Sequence, residues 1–287
     1  MSITWQVMET DCIAMLSSVF MSANQPRHVG ALLREWRQRR RVSQLALACE
    51  AEISTRHLSF LETGRSSPSR QMILQLCEQL RIPLRERNVL LVAGGYAPVF
   101  PETALGSHAL QHARHAVDLV LAGHEPYPAL AIDRHWNMVA ANRVVPLLLA
   151  GVDSVLLQPP VNVLRLSLAP TGLSGRIANL EQWRAHLLER LAHQIEFTAD
   201  PVLIDLMTEL KGYSASQSQQ HRTDGDRVYA GLVVPLELVM NNRVLAFFST
   251  TTVFGTPIDI TLSELAIESF FPADAVTSEA LRQLAPR

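Results

Sequence analysis

The spacing of apolar residues predicts helices through the first hundred residues of the chain. Two stripes with steps of three and four residues predict one helix over 28–40 and another that starts after residue 69. They consist of Val29, Leu32, Leu33 and Trp36, and of Met72, Ile73, Leu76, Cys77 and Leu80. Short helices with one apolar face must pack against each other, so the pattern favours a compact all-α domain over 26–98.

Polar residues and glycine mark the ends of these helices. A serine side chain accepts a hydrogen bond from the free N–H groups of a helix's first turn, so serines predict helix starts. Three serines stand in this position: Ser43, Ser54 and Ser69. Gly64 suits the left-handed conformation that ends many helices, and Pro83 suits the first turn of a fifth helix, which runs to Ala93.

After residue 100 the spacing alternates between helices and strands. Helices are predicted at 105–122, from a cap at Asn142 through Leu149, and near 161–168, 179–197 and 201–211. Strands are predicted as two hairpins and one further strand: 129–132 with 136–140, 228–240 with 244–253, and 264–271. The hairpin turns are Asp133-Arg134-His135 and Asn241-Asn242, and 214–220 is a polar surface loop. We therefore expect an α+β domain over 99–287, with an antiparallel sheet and helices on one face.

Residues 43–64 form the most informative segment of the chain. Two short helices joined by a tight turn and followed by glycine have the spacing of a helix-turn-helix, whose second helix enters the major groove of DNA. We therefore predict two domains: an all-α helix-turn-helix domain of five helices, followed by the α+β domain.

The distribution of charge supports this division. The net charge is −2, but residues 26–100 carry 12 Arg against 6 Glu, whereas residues 101–287 carry 13 Lys plus Arg against 19 Asp plus Glu. A basic module that docks on phosphate is thus followed by an acidic one that stays off it. The arginine run 37–41, which includes Arg39 and Arg40, predicts salt-dependent contacts to phosphate.

Cysteine usage and the first residues bear on location. Three widely spaced cysteines match neither a disulfide framework nor a zinc site, which favours a reducing cytoplasm. Cys49 and Cys77 fall in predicted helices and are expected to be packing residues. Residues 1–25 have no basic residue and no long apolar core, so we expect a disordered or mis-assigned N-terminal extension, not a signal peptide or membrane span.

The first domain resembles the XRE-type, or phage-repressor-like, regulators of prokaryotes. The matching motifs over 28–95 are Gln44-x-x-Leu47-Ala48, Ser54-x-x-x-Leu58-x-x-Leu61-Glu62-x-Gly64-Arg65 and Pro68-Ser69. The resemblance implies a double-stranded DNA operator as partner. It departs at Glu52, where the family usually has a turn glycine, and a left-handed Glu52 would carry about 1 to 2 kcal/mol of strain.

The resemblance also predicts which residues face DNA. They are Ser43, Gln44, Ser54, Thr55, Arg56, Ser59, Phe60 and Arg65. Arg56 has the reach to bind guanine bidentately, and the alternative is a phosphate contact or a solvated side chain. Phe60 either packs on a thymine methyl or closes the rim of the helical core. Ser43 and Gln44, at a helix start, are expected to position phosphate.

The rest of the chain resembles the MmyB-like subgroup. Its motifs include Gly95-Tyr96-Ala97-Pro98, Asp133-Arg134-His135-Trp136-Asn137, Phe254-Gly255-Thr256-Pro257 and Phe271-Pro272-Ala273-Asp274. The resemblance implies a PAS-like ligand-binding and dimerisation domain, a homodimer, and a fatty acid or similar apolar molecule as effector. No other cofactor is expected.

Six residues are candidates for the effector site. Arginine binds carboxylates bidentately, and large aromatic residues line cavities or simply fill a core. The candidates are Arg134, Trp136, Arg165, Trp183, Phe247 and Phe254. His108, His112 and His115 share a helix face, but a solvated linker explains them better than a metal does. No phosphate loop, nucleophile elbow or metalloprotease motif is present, which disfavours an enzyme.

Three functions remain open at this point, and the third, an enzyme that carries a DNA-binding appendage, is the one that the missing motifs disfavour. The first is a sequence-specific transcription regulator controlled by a small apolar effector. The second keeps the DNA reader but makes the C-terminal domain a dimerisation or protein-docking module without a small molecule.

Overall fold

The computed structural model describes residues 28–213 and 234–284. The expectations for 1–25, for the loop 214–220 and for the beginning of the strand at 228–240 lie outside the described residues. The described chain forms two compact units. The N-terminal unit contains 28–103 and 257–263, and the C-terminal unit contains 104–213, 234–256 and 264–284.

The five helices predicted for the first hundred residues are all present in the described part of the N-terminal unit. They are α1 (Val29–Arg39), α2 (Gln44–Glu50), α3 (Thr55–Glu62), α4 (Arg70–Gln79) and α5 (Leu84–Ala93). The three predicted serine caps are confirmed, because each hydroxyl accepts a hydrogen bond from a backbone N–H in the first turn of α2, α3 or α4. The apolar faces meet in one core that includes Leu33, Leu58 and Leu76.

Two residues adopt the left-handed backbone predicted for them. Gly64 has φ +74° just after α3, and Glu52 has φ +53° in the turn between α2 and α3. The side chain of Glu52 is exposed. Within 28–213 and 234–284, nothing in the structure explains the choice of glutamate over glycine there.

Replacing Glu52 by glycine should stabilise the protein. Removing the left-handed strain gains about 1 to 2 kcal/mol, and the greater freedom of glycine in the unfolded chain costs about 0.5 to 1 kcal/mol. We expect Glu52→Gly to raise the free energy of unfolding by about 0.5 to 1 kcal/mol, measured from urea midpoints at constant slope. Glu50→Gly is the control, because Glu50 is exposed and is the last residue of α2. This variant should lose stability, by less than the roughly 1 kcal/mol that glycine costs in a helix interior. Equal destabilisation by both variants would contradict the argument.

The C-terminal unit contains one antiparallel sheet of five strands. They are β1 (Ala129–Ile132), β2 (Met138–Ala141), β3 (Leu236–Met240), β4 (Arg243–Val253) and β5 (Ala266–Pro272). The order across the sheet is β2-β1-β5-β4-β3. Both predicted hairpins are present, and Asn241 and Asn242 have the positive φ angles of a two-residue turn. The architecture is the expected PAS-like α+β domain.

Seven further α-helices follow α5 in the described part of the chain. They are α6 (Gln111–Gly123), α7 (Val145–Leu148), α8 (Val163–Leu168), α9 (Leu180–Thr198), α10 (Pro201–Gly212), α11 (Ile260–Ser263) and α12 (Ala275–Leu284). Short 3-10 turns lie at His108–Leu110, Ser154–Leu157 and Ser174–Arg176.

Several details differ from the sequence prediction. Helices cover both faces of the sheet, because Val117 and Leu121 of α6 pack on Ala129 and Ala131 of β1, opposite the main core. This explains why all four residues of β1 are buried. The helix expected from Asn142 through Leu149 is only one turn, Val145–Leu148. The Asn142 amide donates to the carbonyl oxygens of Leu121 and Tyr127.

Two C-terminal elements were not predicted. α12 is anchored by Thr277, whose hydroxyl accepts a hydrogen bond from the Ala246 N–H at 3.0 Å, and by buried Leu281. The segment 257–263, which includes α11, belongs to the N-terminal unit. Its Ile260 N–H donates to the Pro101 carbonyl at 2.9 Å, and Asp259 accepts from the Thr103 N–H at 3.2 Å.

Candidate nucleic-acid interface and ligand cavity

A buried ion pair fixes α3 against α1. Arg37 Nε donates to Glu62 Oε1 at 2.6 Å, and Nη2 donates to Oε2 at 2.9 Å. The Glu62 side chain is 1% exposed. The hydrogen bond to Glu62 raises the pKa of Arg37, so the guanidinium stays charged. Arg37 also donates to the Val42 carbonyl, so its guanidinium is committed within the unit, unlike the phosphate contact expected of the arginine run 37–41.

The same carboxylate holds Gln44 at the start of α2. Gln44 Nε2 donates to Glu62 Oε2 at 2.7 Å. α1, α2 and α3 thus meet at one glutamate. Since the Gln44 side chain is half-buried and one amide group is committed, its orientation at the candidate DNA surface is set by the protein.

The outward side of α3 is polar and basic. Arg56 and His57 are exposed, while Thr55, Ser59 and Phe60 are half-exposed. The guanidinium groups of Arg56 and Arg65 lie 5.3 Å and 5.8 Å from the centre of the Phe60 ring. Phe60 is thus flanked by two cations, an arrangement in which an aromatic face and two phosphate- or guanine-binding groups share one surface.

The other predicted contacts have partners in the protein. The Ser43 and Ser54 oxygens cap α2 and α3, at 3.0 Å from Ala46 N and 3.1 Å from His57 N. Arg39 lies 3.4 Å from Glu35 on the same helix. Arg40 Nε donates to the Leu80 carbonyl at 3.1 Å, so Arg40 closes the end of α4 in addition to any contact it makes with DNA.

The C-terminal unit contains a partly open apolar cavity between the sheet and the helices that cover it. Its volume is about 100 Å³. It is lined by side chains of all five described strands and of the helices α7, α8 and α9. A 150 Å³ apolar cavity is known to take up benzene, so a cavity of this size suits a molecule of about one ring.

The structure brings three of the six candidate residues to this cavity. Trp136, Trp183 and Phe247 line it. Arg134 lies outside the lining and pairs with Asp200 at 3.5 Å and with Glu264 at 3.9 Å.

The remaining two candidates also lie outside the lining. Arg165 pairs with Glu209 at 2.7 Å, and this hydrogen bond lowers the pKa of the Glu209 carboxyl. Phe254 packs in the cluster formed by α6, β1 and β5, opposite the main core.

Sequence reasoning missed the two charged residues of the cavity wall. Arg190 of α9 and Glu268 of β5 form an ion pair at 2.5 Å, and the Glu268 side chain is 5% exposed. Thr251 donates to Glu268 at 2.9 Å, and the Arg190 guanidinium lies 4.9 Å from the centre of the Trp136 ring. A signal existed: Trp183, Leu187 and Arg190 stand at i, i+4 and i+7, which places Arg190 on the apolar face of its helix.

The surroundings of Trp183 are also informative. Trp183 is 4% exposed, and its indole nitrogen has no hydrogen-bond partner within 28–213 and 234–284. The neighbouring His186 ring lies 5.5 Å away. Burial, together with the charge of Arg190, lowers the pKa of His186, so this histidine is neutral at pH 7.

The two predicted helical cysteines differ in their environment. Cys77 packs in the helical core, and burial raises its pKa to about 12, so it stays a thiol. Cys49 is exposed, which corrects the expectation that it packs. Its position in α2 is on the outward face, one residue after buried Ala48.

None of the helices in the described part of the chain combines the length and the apolar character needed to span a bilayer.

Comparison with known proteins agrees with this division of the chain. A model described as "Helix-turn-helix domain" matches residues 28–90, and one described as "MmyB-like transcription regulator ligand binding domain" matches residues 113–284. No curated protein matches the chain. A solved structure, the clp gene regulator ClgR from Corynebacterium glutamicum, is 27% identical over 37% of this chain and 99% of that one, with a TM-score of 0.22.

The ligand-binding model alone matches more than half of the 287 residues, and the match lies on the unit that contains the cavity. The chain therefore belongs to the MmyB-like transcription regulators, DNA-binding proteins with an N-terminal helix-turn-helix domain and a C-terminal ligand-binding domain.

Proposed function

We propose that this regulator binds a specific operator in double-stranded DNA with α3 in the major groove, as a homodimer in the cytoplasm, and that a small apolar effector in the cavity controls binding. The observation that carries the proposal is the outward surface of α3. It combines Arg56, Phe60 and Arg65 on a helix whose opposite side is fixed by Leu58, Leu61 and Glu62.

The division of roles on this surface follows from reach and flexibility. Arg56 is exposed near the start of α3, where a recognition helix meets base edges, and we assign it to guanine. Ser43, Gln44, Ser54, Thr55 and Ser59 position the helix on the phosphate backbone or at neighbouring bases. Arg39 supplies sequence-independent affinity through phosphate.

Control by an effector requires only that it binds two states of the protein with different affinity. The cavity supports such control. Its lining is almost wholly apolar, as in most small-molecule sites, and its wall consists of strands and helices of one unit. Filling it favours whichever packing of α7, α8 and α9 leaves room for the ligand.

Single arginine substitutions test the assignment on DNA. We expect Arg56→Ala to weaken the binding free energy for the operator by about 1 to 3 kcal/mol and that for a scrambled duplex by little, because the substitution removes base discrimination. Arg39→Ala should weaken both duplexes alike and reduce the slope of log K against log salt by about 1. The measurement is a titration of both duplexes over a salt series.

Arg39→Ala is the control for Arg56→Ala, because it is expected to weaken binding to both duplexes equally. Arg40 is avoided as a control because its loss would also remove the carbonyl contact at the end of α4. If Arg56→Ala loses equal affinity on both duplexes, Arg56 is a phosphate contact and the base assignment fails.

Native mass spectrometry of the purified protein tests the effector. A reproducible bound mass supports control by a small molecule. A clean apo mass favours the alternative function, in which the C-terminal domain serves dimerisation or protein docking.

A further inference from the structure

The polar groups of the cavity wall specify the chemistry of its occupant. The lining is apolar apart from two serines, the Trp183 indole and the pair of Arg190 with Glu268. Whether one of these groups can bind a polar or charged group of a ligand depends on whether it already has a partner in the protein. Their state in the structure therefore restricts the ligand more than the apolar side chains do.

The two charges of the wall already neutralise each other. Glu268 is held by Arg190 at 2.5 Å and by Thr251 at 2.9 Å. Arg190 is held in turn by Glu268 and Thr251 and lies over the Trp136 ring. A ligand carboxylate would either compete with Glu268 for Arg190 or sit beside it as a second negative charge, and both leave a buried carboxylate uncompensated.

The Trp183 indole, unlike the two charges, has no hydrogen-bond partner among the described residues. Its N–H is a buried donor without a partner among the described residues, in a side chain that lines the cavity. A buried donor without an acceptor is costly, and native proteins rarely leave one unsatisfied. A ligand oxygen would remove that cost without bringing a charge into the cavity.

We infer that the cavity takes an uncharged, ring-sized apolar molecule with one acceptor oxygen, such as a ketone or ester, and that the Trp183 indole N–H donates to this oxygen. The inference rests on the proposed function, since it concerns the same effector site. It narrows the effector class away from a free carboxylic acid such as the fatty acid implied by the resemblance.

Three probes with one benzene ring each test the inference by isothermal titration calorimetry on the full chain: acetophenone, benzoate and toluene. We expect acetophenone to bind about tenfold more tightly than either of the others. Trp183→Phe should weaken acetophenone about tenfold and toluene less than about twofold, because only the ketone uses the N–H. Benzoate binding tightest, or a Trp183→Phe variant with unchanged preference, overturns the inference.

A spectroscopic measurement covers the case in which Trp183→Phe does not fold. The chain has four tryptophans, so labelling their indole nitrogens gives a simple proton–nitrogen spectrum. Acetophenone should shift the Trp183 N–H proton downfield, as a new hydrogen bond does, whereas toluene should not. If the Trp183 N–H proton has the same chemical shift with acetophenone as with toluene, the inference is contradicted.

A reversal experiment addresses the charge argument. Glu268→Gln leaves Arg190 without its carboxylate, so benzoate should gain at least about tenfold while acetophenone changes little. No gain for benzoate contradicts the argument from the ion pair. If neither the wild type nor any variant binds any probe, and no native ligand mass is found, the effector part of the proposed function fails together with this inference.

Discussion

Glu62→Ala is expected to unfold most of the N-terminal unit. The substitution leaves the buried guanidinium of Arg37 without its carboxylate and removes the acceptor of Gln44. Breaking a buried ion pair by removing one partner costs about 3 to 5 kcal/mol. A helical unit of this size has about that much stability in total, so operator binding should disappear together with the fold.

The double variant Arg37→Met with Glu62→Leu separates charge from packing. Replacing both partners of a buried pair by apolar side chains of similar size is often neutral, or stabilises by about 1 to 4 kcal/mol. We therefore expect the double variant to be folded, in contrast to Glu62→Ala. Urea unfolding, with hydrogen exchange of peptides from α1 to α3 to locate the loss, measures both.

The folded double variant also isolates the role of Gln44. Without Glu62 the Gln44 amide loses the hydrogen bond that orients it at the candidate DNA surface. We expect operator affinity to fall while the helical core remains intact. A Glu62→Ala variant as stable as the wild type would show that the ion pair does not hold α3 in place.

The N-terminal unit could be predicted from the sequence because its signals are local. The capping contacts of Ser43, Ser54 and Ser69 each span three residues, and Gly64 and Glu52 adopt the conformations that the turns require. The resemblance added that a functional surface lies on α3. The caps and turns each depend on a stretch of fewer than ten residues, and the motifs of the resemblance lie within 28–95, so no contact between distant segments had to be known.

The cavity could be predicted only in part, for the opposite reason. Its charged pair joins Arg190 to Glu268 across 78 residues, and no local pattern tells which of several arginines finds which carboxylate. Arg134 and Arg165 were plausible anchors by chemistry, yet each has an acidic partner elsewhere. Pairing between distant segments is decided by packing of the sheet and helices, which spacing along the chain does not specify.

The covering of the sheet shows the same limit. Alternate residues of β1 point to opposite faces, and the small Ala129 and Ala131 allow α6 to approach the second face closely. A strand of four apolar residues is compatible with burial on both faces, but the sequence does not say which helix provides the second layer. The segment 257–263 is likewise assigned to the N-terminal unit only by contacts with residues 101–103.

Gly30→Ala should destabilise the N-terminal unit by about 3 kcal/mol, although helix propensity alone predicts a gain of about 1 kcal/mol. A Cβ atom at Gly30 would lie 1.8 Å from the Leu61 carbonyl oxygen and 3.1 Å from the Glu62 Cα. These are backbone atoms of α3, so no side-chain rotation relieves the clash, and α1 and α3 must separate.

The sign of the effect therefore tests the close crossing of α1 and the candidate recognition helix. Gly123→Ala is the control: Gly123 is also helical, but its added Cβ would meet no atom within 4 Å. That variant should be between neutral and about 1 kcal/mol more stable. Hydrogen exchange of peptides from each unit gives the change in the free energy of unfolding for both variants. A Gly30→Ala variant at least as stable as the wild type would show that α1 and α3 do not cross closely, and the orientation of Arg56 and Phe60 at the DNA surface would then lose its support.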